Sequence, residues 1–347
     1  MSKIFTYNQF LIQKYIDHPN FAKYKSEHFD EWYPIYRNYP LEGWGDYPIK
    51  DTRVSIFASS VWFYDRSQTI PHYLNIHNDS PIPKLKPFSK TFAQICSERA
   101  KELIDTGEKI NLFWSGGLDS TNAFFCLHKL KPKDQLKVYL TYDTIVESGN
   151  FFDKYIKENY EYDLSIPKPP GEQIWDDGII LNGSAADQAF GVPYGITKDN
   201  IDKPFTNYIN EKDYEFVKPV LDKFPVPVKT YLEFKWFLSF VFKYTPGKRI
   251  IYFGRNIRPS QKVTPFYDTE DFQLWSMLNQ EPKLLNDDLS TFKWPLRNLI
   301  YENSGEKNYA YNKKKNNSNY SIYNPDWLVS TIDEKVNCYN WKEWSSL

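Results

Sequence analysis

An α/β fold built on a parallel sheet is what this sequence predicts, and three stretches predict it. In Lys109–Leu127, the apolar run Ile110, Leu112, Phe113 and Trp114 reads as a buried strand. A small turn, Ser115-Gly116-Gly117-Leu118-Asp119-Ser120-Thr121, follows, and Ala123, Phe124, Phe125, Leu127 and Leu130 then recur at helical spacing. Gln135–Thr144 contains Leu136, Val138 and Leu140 and the β-formers Tyr139, Thr141 and Tyr142, as a second strand would. Ile179–Gly191, IILNGSAADQAFG, repeats the order of apolar run, small-residue loop and helix start. Parallel strands need crossover connections, and helices are the usual ones.

The remaining elements follow in chain order. Residues 1–30 carry a partial helical pattern in Phe10, Leu11, Tyr15 and Ile16. Residues 33–48 crowd prolines, glycines and aromatics into irregular loop, and Val54–Tyr64 reads as one or two strands. Pro81, Pro83 and Pro87 stiffen a connector. The boundary is set there, giving a small α+β region at 1–88 and a main domain at 89–347, with a helical C-terminal portion. Thr91–Thr106 is expected to be a helix closed by Gly107, and Phe151–Tyr160 another. Residues 195–230 are polar and proline-rich. Tyr231–Tyr244 reads as a buried helix, and Thr264–Asp268 leads into a helix through Leu278. Pro325–Trp344 is expected to form a last helix with a tail.

Composition excludes several classes. The chain has 347 residues, 41% of them hydrophobic and 25% charged, enough for a real core. A formal net charge of −1 gives no basis for nucleic-acid or anionic-membrane binding. Cys96, Cys126 and Cys338 form no CxxC pair, which argues against a zinc ribbon or a persulfide pair. The first ten residues lack the apolar core of a signal peptide, and no run of 18 apolar residues exists. A cytoplasmic protein is expected, with no membrane partner.

The loop at 115–121 has the chemistry of an anion cradle. Glycines let backbone N–H groups approach a phosphate, and a helix N-terminus adds positive potential. The hydroxyls of Ser115, Ser120 and Thr121 add donors. Asp119 would repel an anion, so its presence implies a Mg2+ ion bridging to the phosphates. Asp187, in the second loop, is placed to share that metal. No GxxxxGK[ST] is present.

SGGLDST resembles the pyrophosphate loop of the N-type ATP pyrophosphatases, the group containing asparagine, GMP, NAD and argininosuccinate synthetases. NGSAADQAFG is similar to the SGEGADELFGGY segment of asparagine and β-lactam synthetases. The resemblance implies that Asn182 and Gly183 lie against the nucleotide and that Asp187 helps hold magnesium pyrophosphate. It places Ser184 at the reacting centre, where the family has a glutamate, and gives Gln188 for the second acidic residue. Thr264-Pro265-Phe266-Tyr267-Asp268 resembles the family's VPFLD, and Lys293-Trp294-Pro295-Leu296-Arg297 its KYxLR helix start. The family's phosphate-contacting lysine falls in the run Lys313-Lys314-Lys315, with register favouring Lys314. Thr141 to Thr144 are candidates for the adenosine site.

The similarity covers residues about 91–320. The implied fold is a doubly wound parallel sheet of the adenine nucleotide α-hydrolase type. The implied activity is ATP-dependent amide formation: a small-molecule acid is adenylated, pyrophosphate leaves, and ammonia or an amine displaces AMP. ATP and Mg2+ are the implied cofactors. Residues 1–88 are too short for a glutaminase and begin Met-Ser, so no internal ammonia source is implied. Two rival readings stand beside this one: a nucleotide-binding protein without turnover, and a ligase with a macromolecular acceptor.

Overall fold

The computed structural model describes residues 3–6, 65–69, 80–140, 144, 148, 150–164, 177–191, 195–242, 262–278, 281, 283–286, 288–312, 327–332 and 335–340. It is an α/β protein. After β1 (Lys3–Thr6) come β2 (Ile110–Phe113), β3 (Leu136–Leu140), β4 (Glu161–Leu164), β5 (Ile179–Asn182) and β6 (Lys262–Pro265). The last five form one all-parallel sheet in the order β4-β3-β2-β5-β6. The order runs outward from β2 to β4 on one side and from β5 to β6 on the other. This reversal is compatible with a doubly wound sheet. In the register, Leu112 faces Val138 on one neighbour and Leu181 on the other, and all three are fully buried. Strands covered on both faces have no use for alternation, which is why these segments read as continuous apolar runs.

The helices are α1 (Phe92–Asp105), α2 (Leu118–His128), α3 (Ala186–Phe190), α4 (Glu211–Leu221), α5 (Tyr231–Phe242), α6 (Glu270–Leu278), α7 (Trp294–Ser304) and α8 (Lys307–Asn312). α1 begins with a reciprocal cap. The Thr91 side chain accepts from the Gln94 N–H at 3.2 Å, and the Gln94 side chain accepts from the Thr91 N–H at 2.8 Å. Gly107 follows its end at φ +68°, a left-handed position suited to glycine. The helix expected at Phe151–Tyr160 is a single wide π turn, Phe152–Ile156, before β4.

One apolar core joins the sheet to its helices. Phe92 packs with Phe190, Tyr267, Phe272 and Trp275 at ring-centroid distances of 5.0–6.3 Å. Each such buried ring stabilises the fold by roughly 2–3 kcal/mol. A second cluster gathers Trp236, Phe237 and Phe240 of α5 with Val217, Val220, Phe224 and Met277. No helix among the described residues is long and apolar enough to cross a membrane.

By compactness the chain divides into one unit of residues 1–45, 165–174 and 315–347, and a larger one of 46–164 and 175–314. The smaller unit corrects one expectation. Within the helix expected at Pro325–Trp344 the described residues are strands: β7 (Trp327–Ile332) and β8 (Lys335–Asn340) pair antiparallel, with β1 on the far side of β7. Val329, Thr331, Ile332, Val336 and Tyr339 favour the extended chain, and pairing partners on both sides of β7 outweigh the helical spacing of the apolar residues. Lys3–Thr6, ahead of the helical pattern expected at Phe10–Ile16, is a strand. The rest of residues 1–30, residues 33–48 and Val54–Tyr64 lie outside the described residues.

Candidate functional site

The loops after β2 and β5 leave the sheet side by side, because these strands are neighbours where the strand order reverses. In open parallel sheets, ligands collect at such crevices. The loop after β2 is cinched by its own hydroxyls. The Ser115 N–H donates to Ser120 Oγ at 3.1 Å, and the Ser120 hydroxyl donates to the Gly117 carbonyl at 3.2 Å. Gly116 takes φ +67°, and a Cβ there would lie 2.9 Å from Ser148 Oγ. α2 then starts at Leu118 from Gly117, with no side-chain cap.

Tyr309 and Ser148, which the sequence did not single out, and Tyr267 of the Thr264–Asp268 segment hold this loop. The Tyr309 hydroxyl donates to the Gly116 carbonyl at 2.7 Å, and so does Ser148 Oγ at 3.2 Å. Tyr309 has one proton and spends it there, so it accepts from the Thr121 hydroxyl at 2.8 Å. Thr121 in turn accepts from the Trp114 indole N–H at 2.9 Å. The Tyr267 hydroxyl donates to the Asp119 carbonyl at 2.8 Å while accepting from the Asn122 amide at 3.0 Å. Every bond in these relays has one donor and one acceptor, which fixes the loop with little freedom left.

The second loop is pressed onto the first. A Cβ on Gly183 would stand 2.7 Å from Ser120 N and 2.9 Å from the Asp119 carbonyl carbon. Only a residue without a side chain permits that approach. Asn182, buried at the end of β5, accepts from the Ser184 N–H at 2.8 Å through Oδ1. Its Nδ2 is buried with no hydrogen-bond partner. Ala185 then takes the left-handed conformation, φ 73°, and α3 begins with Asp187 in its first turn.

Asp119 and Asp187 meet on one ammonium. Lys293 Nζ lies 2.5 and 2.6 Å from the two Asp119 oxygens and 2.7 Å from Asp187 Oδ1. The lysine is 4% exposed, whereas the carboxylates are half-buried. Burial pulls the Lys293 pKa down, but Asp119 and Asp187 outweigh it and the net shift is upward, so the ammonium stays charged. Lys293 precedes α7 at φ 66°, a left-handed residue at a helix N-terminus where the dipole disfavours a cation. Sequence reasoning assigned it to a helix start and not to the site. Its position directly before Trp294-Pro295, against the charge preference of a helix start, was the available signal.

Of the other expected site residues, Ser115, Gly117, Leu118 and Ser184 are half-buried beside this point, and Ser120 and Thr121 are buried in the framework just described. Thr144 is buried, with its Cγ2 3.2 Å from where a Gly116 Cβ would be. Lys313, Lys314, Lys315 and Thr141 lie outside the described residues.

The donor set fits magnesium and a nucleotide. Mg2+ in phosphate chemistry takes one or two carboxylates and completes its octahedron with phosphate oxygens and water. Asp119 and Asp187 supply two carboxylates; among the described residues no group of three or more His, Cys, Asp or Glu side chains gathers as a metal site. No protein-family model matches this chain, and no curated protein matches it.

Proposed function

We propose that the protein is an ATP-dependent ligase that adenylates a carboxylate and converts it to an amide. The observation that carries this reading is the convergence of Asp119 and Asp187 on one cation, beside a glycine loop that opens a helix. A pure anion nest has no need of two carboxylates, whereas a site for metal-bound phosphates has. The likeness to the ATP pyrophosphatases, and a doubly wound sheet of their type, belong to this proposal.

In this mechanism the backbone of Ser115–Leu118 and the start of α2 receive the β and γ phosphates of ATP. Asp119 and Asp187 would hold magnesium, which when bound neutralises phosphate charge. Asn182 Nδ2 donates to the nucleotide, and the bare backbone of Gly183 lets its loop close on Asp119 and Ser120. The substrate carboxylate attacks the α-phosphorus, the bond to the β-phosphate oxygen breaks, and pyrophosphate departs. Lys293 and a lysine of the 313–315 run balance the charge on the leaving group. Ammonia or an amine then attacks the acyl carbon and AMP leaves with the bonding pair.

Ser184, in place of a carboxylate, leaves the reacting centre without a negative group of its own and shifts the expected acid away from aspartate. Cys96 and Cys126, both buried free thiols, suit a reducing cytoplasm. The test is isotope exchange between labelled pyrophosphate and ATP across a panel of acids. Acid-dependent exchange supports adenylation. ATP binding without exchange for any acid, small or macromolecular, favours a nucleotide-binding protein without turnover.

A further inference from the structure

We propose that Lys293 is a resident counter-cation that keeps free divalent metal out of the two-aspartate site until nucleotide arrives. One ammonium serves three carboxylate oxygens: both of Asp119, at 2.5 and 2.6 Å, and Asp187 Oδ1 at 2.7 Å. The lysine reaches them from the protein side, 4% exposed, while side-chain exposures of 26% and 29% leave the carboxylates open to solvent. A metal approaching from solvent therefore meets two carboxylates already carrying one positive charge. Alone, it must share or displace a buried ammonium that pairs with no other anion among the described residues, and two like charges this close repel strongly in a half-buried site.

A metal that arrives on a triphosphate brings the missing anion with it. The four-carbon stem of Lys293 lets the ammonium turn from carboxylate to phosphate without losing a partner. Asn182 adds a second observation beside this place in the fold. It is 5% exposed, its Nδ2 has no partner, and its neighbour Gly183 lies against Asp119. An acceptor oxygen delivered to that donor is what a nucleotide has and a bare ion lacks. The inference rests on the ligase reading only for the identity of the nucleotide.

The test uses Mn2+ as probe, with free ion read by its paramagnetic resonance signal, on the full chain without nucleotide. The wild type is expected to bind Mn2+ only at millimolar levels. Lys293→Met is expected to bind at least about tenfold more tightly, because a like charge has been removed from beside the carboxylates. That gain is expected to vanish when Asp119→Asn or Asp187→Asn is added. Equal or weaker binding by Lys293→Met overturns the proposal. If that variant does not fold, the wild type decides: a micromolar Mn2+ site removed by Asp187→Asn overturns the proposal, and millimolar binding upholds it. Binding of α,β-methylene-ATP with Mn2+ is measured separately on the wild type. Its absence sinks the ligase reading, while the Mn2+ comparison still judges the lysine.

Discussion

Asp119, Asp187 and Lys293 each sit where a helix begins, and only the aspartates obey the charge preference of that position. The lysine is held against the dipole, buried and left-handed, because two carboxylates outweigh those costs together. Local rules broken at one point and compensated by neighbours are the usual mark of a working site. Replacing Asp119 or Asp187 by Asn is therefore expected to lower pyrophosphate exchange by about 10²–10³-fold. The same change leaves Lys293 with one partner, which costs about 1–2 kcal/mol given the half-exposed carboxylates. Urea unfolding read alongside exchange separates the two effects; an exchange rate within a few-fold of wild type in a folded variant contradicts the assignment.

Among the elements, the contact between the loops after β2 and β5 is the most sensitive to change. Gly183→Ala puts a methyl 2.7 Å from Ser120 N, and backbone on both sides leaves it nowhere to go. The expected cost is about 1–3 kcal/mol, with a clear loss of ATP affinity by calorimetry. Tyr309→Phe removes the hydroxyl that joins α8 to the Gly116 carbonyl and strands the Thr121 proton. About 1 kcal/mol of stability should go with it, while the ring contact with Phe151 at 4.1 Å remains. Nucleotide affinity is expected to fall further in that variant than in Thr91→Ala. That change uncaps α1 for a similar cost of about 1 kcal/mol and touches no part of the site.

How much of these elements was legible follows from the range of the forces that make them. β2, β3 and β5 could be read because burial on both faces writes a local apolar run. The nearness of Asp119 and Asp187 could be read as an expectation from their matching places after two such runs. Tyr309, Ser148 and Tyr267 could not, because each joins the loop through a single hydroxyl from a distant segment, and one tyrosine among 27 carries no mark of that use. β7 was misread for a related reason: one of its two partners, β1, comes from the opposite end of the sequence, and no window shows it; the other, β8, follows at once and was legible as a hairpin.

For the molecule as a whole, stability should carry a pH dependence with a traceable origin. Burial, aided by Lys131, holds the His128 pKa below its ordinary 6.5, and Tyr160 shares a hydrogen bond with it at 2.8 Å. The unfolded chain takes up a proton there more readily than the native one, so stability is fullest above pH 6.5 and declines as pH falls through the native value. Denaturant midpoints measured from neutral to mildly acid pH should drop in the wild type and drop less in His128→Gln. An identical slope in both proteins assigns the acid sensitivity elsewhere.

The wide separation of the three charged groups along the polypeptide has a consequence for its birth on the ribosome. Asp119 and Asp187 emerge long before Lys293, so the growing chain brings two like charges toward each other before this ammonium exists. The β2–β5 pairing that brings them together is thus opposed until α7 is made and docks. The last strong impulse to close the crevice comes from a lysine synthesised more than a hundred residues after the second aspartate it joins.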